Sequence, residues 1–114
     1  MISNQILQNT IEGIKGIIKN DLCVSDAEGN TLATTSEEFT INHEDGLGFV
    51  HSPADSQVVK GCHYFKVYDE GQLEYVIVIR GDSEEAYTIG KMIVLQIEGL
   101  LVAYKERYDK DNFI

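Results

Sequence analysis

The stretch from Cys62 to Arg80, CHYFKVYDEGQLEYVIVIR, decides the fold. Residues 62–68 and 73–80 are rich in β-branched and aromatic side chains, and the turn between them places Gly71 where a hairpin needs a left-handed residue. Apolar residues occupy both alternating faces of the 73–80 segment, which predicts a central strand that is covered on both sides. We therefore expect an antiparallel sheet buried between two layers.

The segments before this hairpin predict one helix, a second hairpin and a long irregular stretch. Apolar residues in the first segment recur at spacings of four, three and four, which is typical of an amphipathic helix. The irregular stretch holds the only proline and several large apolar residues, so we expect it to fold back over the sheet. The predicted bounds are 4–19 for the helix, 22–27 and 31–35 for two short strands, 36–55 for the irregular part and 56–60 for a weak strand.

Residues 83–109 predict a long C-terminal helix that begins with a capping box formed by Asp82 and Glu85. One apolar stripe along it is expected to pack on the sheet. A second stripe repeats every seven residues and is expected to pack against a second copy of the chain. A single wide stripe on a large sheet is the alternative. The candidate dimer-interface residues are Val94, Leu101 and Tyr108.

The order of these elements predicts an α+β fold. We expect a five-stranded antiparallel sheet with the N- and C-terminal helices on one face and a loop or short helix on the other. This arrangement is similar to the PAS, GAF and profilin-like group of sensor folds. With 114 residues, residues 1–114 are expected to form a single domain.

The charge balance narrows the class of partner. Nine basic and nineteen acidic residues give a net charge of −10, and residues 20–59 contain eight acids and no Lys or Arg. Such a chain is repelled by nucleic-acid phosphates and by anionic membranes, so we expect neither as a direct partner. We also expect no transmembrane helix, because Lys91, Gln96 and Glu98 interrupt the apolar stretch 89–104.

No constellation of side chains predicts catalysis. The chain has no nucleophile-elbow pattern, phosphate-binding glycine loop or HExxH motif, so we expect no enzyme, no catalytic residue and no cofactor. His43, Glu44, Asp45 and His51 lie in the irregular segment without a recognised ligand spacing, so we expect no metal. The two cysteines, Cys23 and Cys62, lie in apolar strand-like segments. A chain without a secretory signal is expected in the reducing cytoplasm, with these thiols as core residues; a disulfide or a reactive thiol is the alternative.

A small-molecule pocket is the candidate site on the sheet. Strand alternation places two tyrosines on one face with Lys66, either as cross-strand packing or as the walls of a pocket under the 36–55 segment. Arg80 ends the neighbouring strand, and a dianion would require Lys66 and Arg80 to face inward together. The candidate ligand-binding residues are Tyr64, Lys66, Tyr68, Arg80 and His43.

The segment CVSDAEGNTLATT at residues 23–35 resembles the strand, Asp-x-x-Gly turn and strand of the N-terminal sensor in carbohydrate diacid regulators, the CdaR/PucR group of bacterial transcription factors. The hairpin ending at 75–81 and the long helix to 104–108 are similar as well. The HEDG at 43–46 partly matches a His-Glu-Gly element associated with the acid ligand, although the accompanying Arg is absent.

This resemblance implies a homodimeric sensor that binds a small carboxylate or sugar acid. It also implies a relay through helix 83–109 to a helix-turn-helix beyond this chain, which would contact DNA. A structural dimerisation module without a ligand is the alternative function.

Overall fold

The computed structural model describes residues 2–112, with side chains described for residues 2–105. These residues form three helices and five strands, and all of them except the second helix lie close to the bounds that the sequence predicts. In chain order they are α1 (Asn4–Ile18), β1 (Leu22–Asp26), β2 (Thr31–Thr34), α2 (His43–His51), β3 (Ser56–Val59), β4 (Cys62–Asp69), β5 (Gln72–Arg80) and α3 (Glu84–Asn112).

The strands form a five-stranded sheet with the order β2-β1-β5-β4-β3, and every neighbouring pair is antiparallel. Strand β5 lies at the centre, as its apolar residues on both faces predict. The β4–β5 turn has Gly71 at a φ of 80°, a left-handed conformation that glycine adopts without steric cost. The hairpin prediction for residues 62–80 is confirmed.

Alternating residues of β5 build two separate cores. Tyr75, Ile77 and Ile79 belong to the apolar cluster under α1 and α3. Val76 and Val78 belong to the cluster under α2 and the segment that precedes it. The predicted α+β architecture is therefore confirmed, with both terminal helices on one face and a short helix on the other.

Helix α3 begins one residue later than its predicted cap implies. The hydroxyl of Ser83 accepts a hydrogen bond from the amide of Ala86 at 3.1 Å, which is the geometry of an N-cap. The prediction that Asp82 caps this helix is wrong. Since Glu85 follows the cap by only two residues, it does not complete a capping box.

Helix α2 forms inside the segment that the sequence presents as irregular. Asn42 caps it, its side-chain oxygen accepting from the amide of Asp45 at 3.0 Å. Gly46 is needed for close packing, because a Cβ at this position would lie 2.7 Å from Cδ1 of Ile41. Gly46, which weakens the helical pattern in the sequence, therefore lets α2 lie close to the segment that precedes it.

Candidate functional site

The space that the sequence assigns to a ligand, between the sheet and residues 36–55, is filled by protein side chains. Phe49 of α2 is fully buried there and packs edge-to-face on Tyr64, with ring centroids 5.7 Å apart. Phe39 and Ile41 complete the layer. Burial raises the pKa of Tyr64 to about 12. Tyr64 is therefore a core side chain, as the packing interpretation of this residue expects. The predicted ligand pocket under α2 is corrected to a packed core.

Lys66 is buried on the same face. Its ammonium group donates a hydrogen bond to the backbone carbonyl of Ser52, just after α2, and lies 5.0 Å from the centroid of the Phe49 ring. Both groups that stabilise the Lys66 ammonium, the carbonyl oxygen and the aromatic ring, belong to the domain itself, because a buried cation is unfavourable without such partners. Lys66 thus connects the C-terminal end of α2 to β4 through a hydrogen bond.

Arg80 does not converge with Lys66. Its guanidinium lies 4.6 Å from the centroid of the Phe39 ring, and its Nε lies 3.6 Å from Oδ2 of Asp21. The side chain is 57% exposed. The two bases do not face inward together, so the geometry gives no support to a dianion site at these residues.

The remaining ligand candidates lie apart from this pair. His43 is exposed at the start of α2, with Nδ1 3.4 Å from the carbonyl oxygen of Gly29. The hydroxyl of Tyr68 donates to Asp55 at 3.4 Å, at the sheet edge beyond β3. Tyr68 and Lys66 border a shallow cleft of about 210 Å³ between this edge and α3. The five candidate residues do not form one site.

Both cysteines are free thiols. Burial raises the pKa of the Cys23 thiol to about 12, which keeps it protonated and unreactive at neutral pH. Cys23 lies on β1 and Cys62 on β4, and β5 separates these strands. Two strand spacings amount to roughly 10 Å, beyond the reach of a disulfide. This placement excludes a disulfide between Cys23 and Cys62 of the same chain.

The predicted dimer-interface residues belong to the core of the single chain. Val94 and Leu101 are almost completely buried in the cluster that α3 forms with the sheet. The side chain of Tyr108 lies outside the described residues. The predicted interface residues Val94 and Leu101 are therefore corrected to core residues, as a single wide stripe on the sheet would require. A helix that crosses several strands needs contacts wider than one heptad seam.

The opposite side of α3 carries an apolar surface that the sequence reasoning missed. Its larger members, Met92, Leu95 and Val102, are exposed by 64%, 69% and 55%. They recur at spacings of three and seven, so they share a face with the small residues between them. We call this surface the α3 outer face; its residues are Thr88, Met92, Leu95, Gly99, Val102 and Ala103.

An apolar groove continues this surface toward α1. It has a volume of about 190 Å³ and runs between the C-terminal half of α1 and the N-terminal half of α3. Ile17, the most exposed of the large apolar side chains described, forms its rim, and Met92 belongs to both the groove and the α3 outer face. We call the groove and the α3 outer face together the helix-layer surface.

Charge is distributed unevenly around this surface. Residues 20–83, which hold the sheet and α2, carry twelve acids and three bases, whereas the remaining six bases accompany seven acids outside that range. Between Ala86 and Tyr104 the only charged residues are Lys91 and Glu98. The α3 outer face contains none for about four helical turns. The acidity of the molecule therefore lies mainly away from its helix layer.

Among the described residues, one helical segment, Glu84–Lys105, has the length and apolar composition to cross a membrane. The core helix of a soluble domain meets the same criterion, and Ile93, Ile97 and Leu101 of this segment are buried against the sheet. The sequence expectation of no transmembrane helix stays a prediction.

Comparison with known proteins adds no relative: no family model, no curated protein and no solved structure matches the chain. Within residues 2–105, whose side chains the structure describes, no group of three or more His, Cys, Asp or Glu side chains is placed to hold a metal ion.

Proposed function

We propose that this domain is a non-enzymatic self-association module that forms a homodimer through its helix-layer surface. The observation that carries the proposal is the α3 outer face, where Met92, Leu95 and Val102 project into solvent without a charged residue among them. A surface helix ordinarily places polar and charged residues on its solvent side. A contiguous apolar face on a soluble domain is typical of an interaction site.

A second copy is the occupant that the charge distribution favours. Two molecules of net charge −10 repel each other through most of their surfaces. The helix layer, with nearly balanced charge, is where two copies approach at the least electrostatic cost. An isologous contact also requires a patch that complements itself, and an apolar patch meets that requirement.

The structural dimerisation module is better supported than the ligand sensor. Side chains fill the space under α2, and Lys66 and Arg80 are engaged with separate partners. The role in a cytoplasmic bacterial transcription regulator, with DNA bound through another domain, remains a proposal that dimerisation would serve. A rise in Tm on adding small carboxylates or sugars would favour the sensor function.

The experiment compares the sedimentation of the wild-type domain with that of Leu95→Glu over a wide range of concentration. We expect a concentration-dependent dimer for the wild type and a monomer for the variant, because an unpaired charge is strongly unfavourable at the centre of an interface. Leu95 is largely exposed in the single chain, so the variant should retain the wild-type far-UV circular dichroism.

Val58→Glu is the matched control, because Val58 is an exposed apolar residue on the edge strand β3, on another surface. It should leave the dimer intact. A wild-type domain that stays monomeric, or a Leu95→Glu variant that still dimerises, would contradict the proposal. Loss of the dimer in Val58→Glu alone would assign the interface to the edge of the sheet.

A further inference from the structure

Two charged residues flank the α3 outer face on one side. Lys91 and Glu98 are seven residues apart, which places them on the same side of the helix. Both border the cleft at the sheet edge, together with Leu95. Within the described part of the chain, neither takes part in an ion pair. Seven residues span about 10 Å along a helix axis, so they do not neutralise each other directly.

The other flank of the α3 outer face is uncharged between Ala86 and Tyr104. Gln96 lies on that side, toward α1, in the groove that Ile14 and Ile17 line. The outer face is thus bordered by a charged flank near the sheet edge and an uncharged flank near α1. This asymmetry distinguishes the two ways in which two copies of α3 can lie side by side.

We propose that, in the homodimer proposed above and on which this inference rests, the two α3 helices pack antiparallel and Lys91 of each copy pairs with Glu98 of the other. A two-fold axis perpendicular to the helices brings the charged flank of one copy against the charged flank of the other. With the axis between Met92 and Leu95, both Lys91–Glu98 pairs form at once. The same register sets Met92 of one copy against Leu95 of the other.

The alternative arrangements leave these charges without partners. In a parallel pair, each flank meets the opposite flank of the neighbouring helix, so Lys91 and Glu98 would face the uncharged side that carries Gln96. A shifted antiparallel register would pair Glu98 with Lys105, one heptad further on. However, Lys105 already forms an ion pair with Glu70 of its own chain. The Lys91–Glu98 register therefore pairs two charged residues that have no ion-pair partner within the described part of their own chain.

The test uses two single charge reversals and their mixture. Lys91→Glu places two acids against each other at both ends of the contact, and Glu98→Lys places two bases there. We expect each variant to self-associate about tenfold more weakly than the wild type, since two exposed ion pairs become two repulsions. When the two variants are mixed, opposite charges face each other again in the heterodimer. We expect its affinity to return to the wild-type value.

The double variant K91E/E98K is the second arm of this test. It exchanges the two charges and should dimerise with itself as the wild type does. Far-UV circular dichroism of every variant checks that the fold is retained, and Glu44→Lys, at an exposed position of α2, controls for the change in net charge. Glu44→Lys changes the net charge in the same direction and by the same amount as Glu98→Lys, so it should associate at least as well as the wild type. Equal weakening in Glu44→Lys and Glu98→Lys would contradict a specific role for position 98.

The outcomes separate this inference from the function on which it rests. If Leu95→Glu abolishes the dimer but the mixed single variants associate no better than each alone, dimerisation stands and the antiparallel pairing is wrong. If Leu95→Glu has no effect on the dimer, both are wrong. Wild-type protein that stays monomeric but sediments with phosphatidylglycerol vesicles would assign the surface to a membrane and overturn both.

Discussion

The side chain of Tyr75 holds both backbone polar groups of Ile2. Its phenolic oxygen accepts a hydrogen bond from the Ile2 amide at 3.2 Å and donates one to the Ile2 carbonyl at 3.3 Å. Both residues are almost completely buried, although 73 positions separate them in the chain. The segment ahead of α1 is thereby fixed to the central strand of the sheet.

Tyr75→Phe should lower the free energy of unfolding by about 2 kcal/mol, because it leaves a buried amide and a buried carbonyl of Ile2 without partners. Urea denaturation of the variant measures this loss. Tyr87→Phe is the control, since Tyr87 is exposed at the start of α3 and its change should be small. A loss in Tyr75→Phe no larger than in the control would contradict the structural role.

Alkaline pH should weaken the domain through Tyr64. Burial raises its pKa to about 12, above the value of about 10 in an unfolded chain. The neutral phenol is therefore favoured by folding, so its contribution to stability is complete below pH 10 and is lost as the pH rises from 10 toward 12. In Tyr64→Phe the free energy of unfolding should fall less steeply over that range. Equal slopes for the variant and the wild type would show that Tyr64 titrates as in the unfolded chain.

Acidic pH should weaken the domain through Asp21. The hydrogen bond from Lys15 at 2.9 Å, aided by one from Thr35 at 3.0 Å, holds the pKa of Asp21 below its usual value. The carboxylate contributes stability above pH 4, and this is lost as the pH falls through its lowered pKa. The loss in Asp21→Asn at pH 7 should be about 1 kcal/mol or less, because the charges are partly exposed. Chemical denaturation between pH 7 and 2 should show the difference from wild type shrinking with acid; a constant difference would count against this assignment.

Substitution by alanine should change the free energy of unfolding in opposite directions at two helical glycines. A Cβ at Gly90 of α3 would lie 2.1 Å from Cε2 of Phe65, whereas one at Gly13 of α1 would meet nothing within 4 Å. Gly90→Ala should therefore cost about 1–3 kcal/mol through overpacking. Gly13→Ala should add about 0.5–1 kcal/mol, because alanine is the better helix former. Thermal melts of the two variants in parallel test this pair, and a stable Gly90→Ala would mean that α3 lies further from the sheet.

Local alternation and turn chemistry were sufficient to predict the sheet. Apolar residues on both faces of residues 73–80 and the glycine in the DEGQ turn specify a central strand and its hairpin before any tertiary contact is known. The sequence pattern does not distinguish α2 from a loop, since glycines weaken the helical pattern. Its support comes from the Asn42 cap and from contact with Ile41.

The candidate site could not be predicted in the same way. Periodicity identified Val94 and Leu101 as apolar and regularly spaced, but the width of the sheet beneath α3 decides whether such residues are core or interface. Lys66 looked like an anion ligand because bases are rare in this part of the chain. Its partner is a backbone carbonyl, which has no signature in the sequence.

The order of the strands protects the chain against fibril formation. VIVI at residues 76–79 has the β-branched, uncharged composition of segments that stack into cross-β fibrils. In the folded domain it lies at the centre of the sheet, hydrogen-bonded to β1 on one side and β4 on the other, while the outermost strands are four residues long. This segment is thus paired on both sides and protected from other molecules, and the edge strands β2 and β3 offer little length for a foreign strand to join.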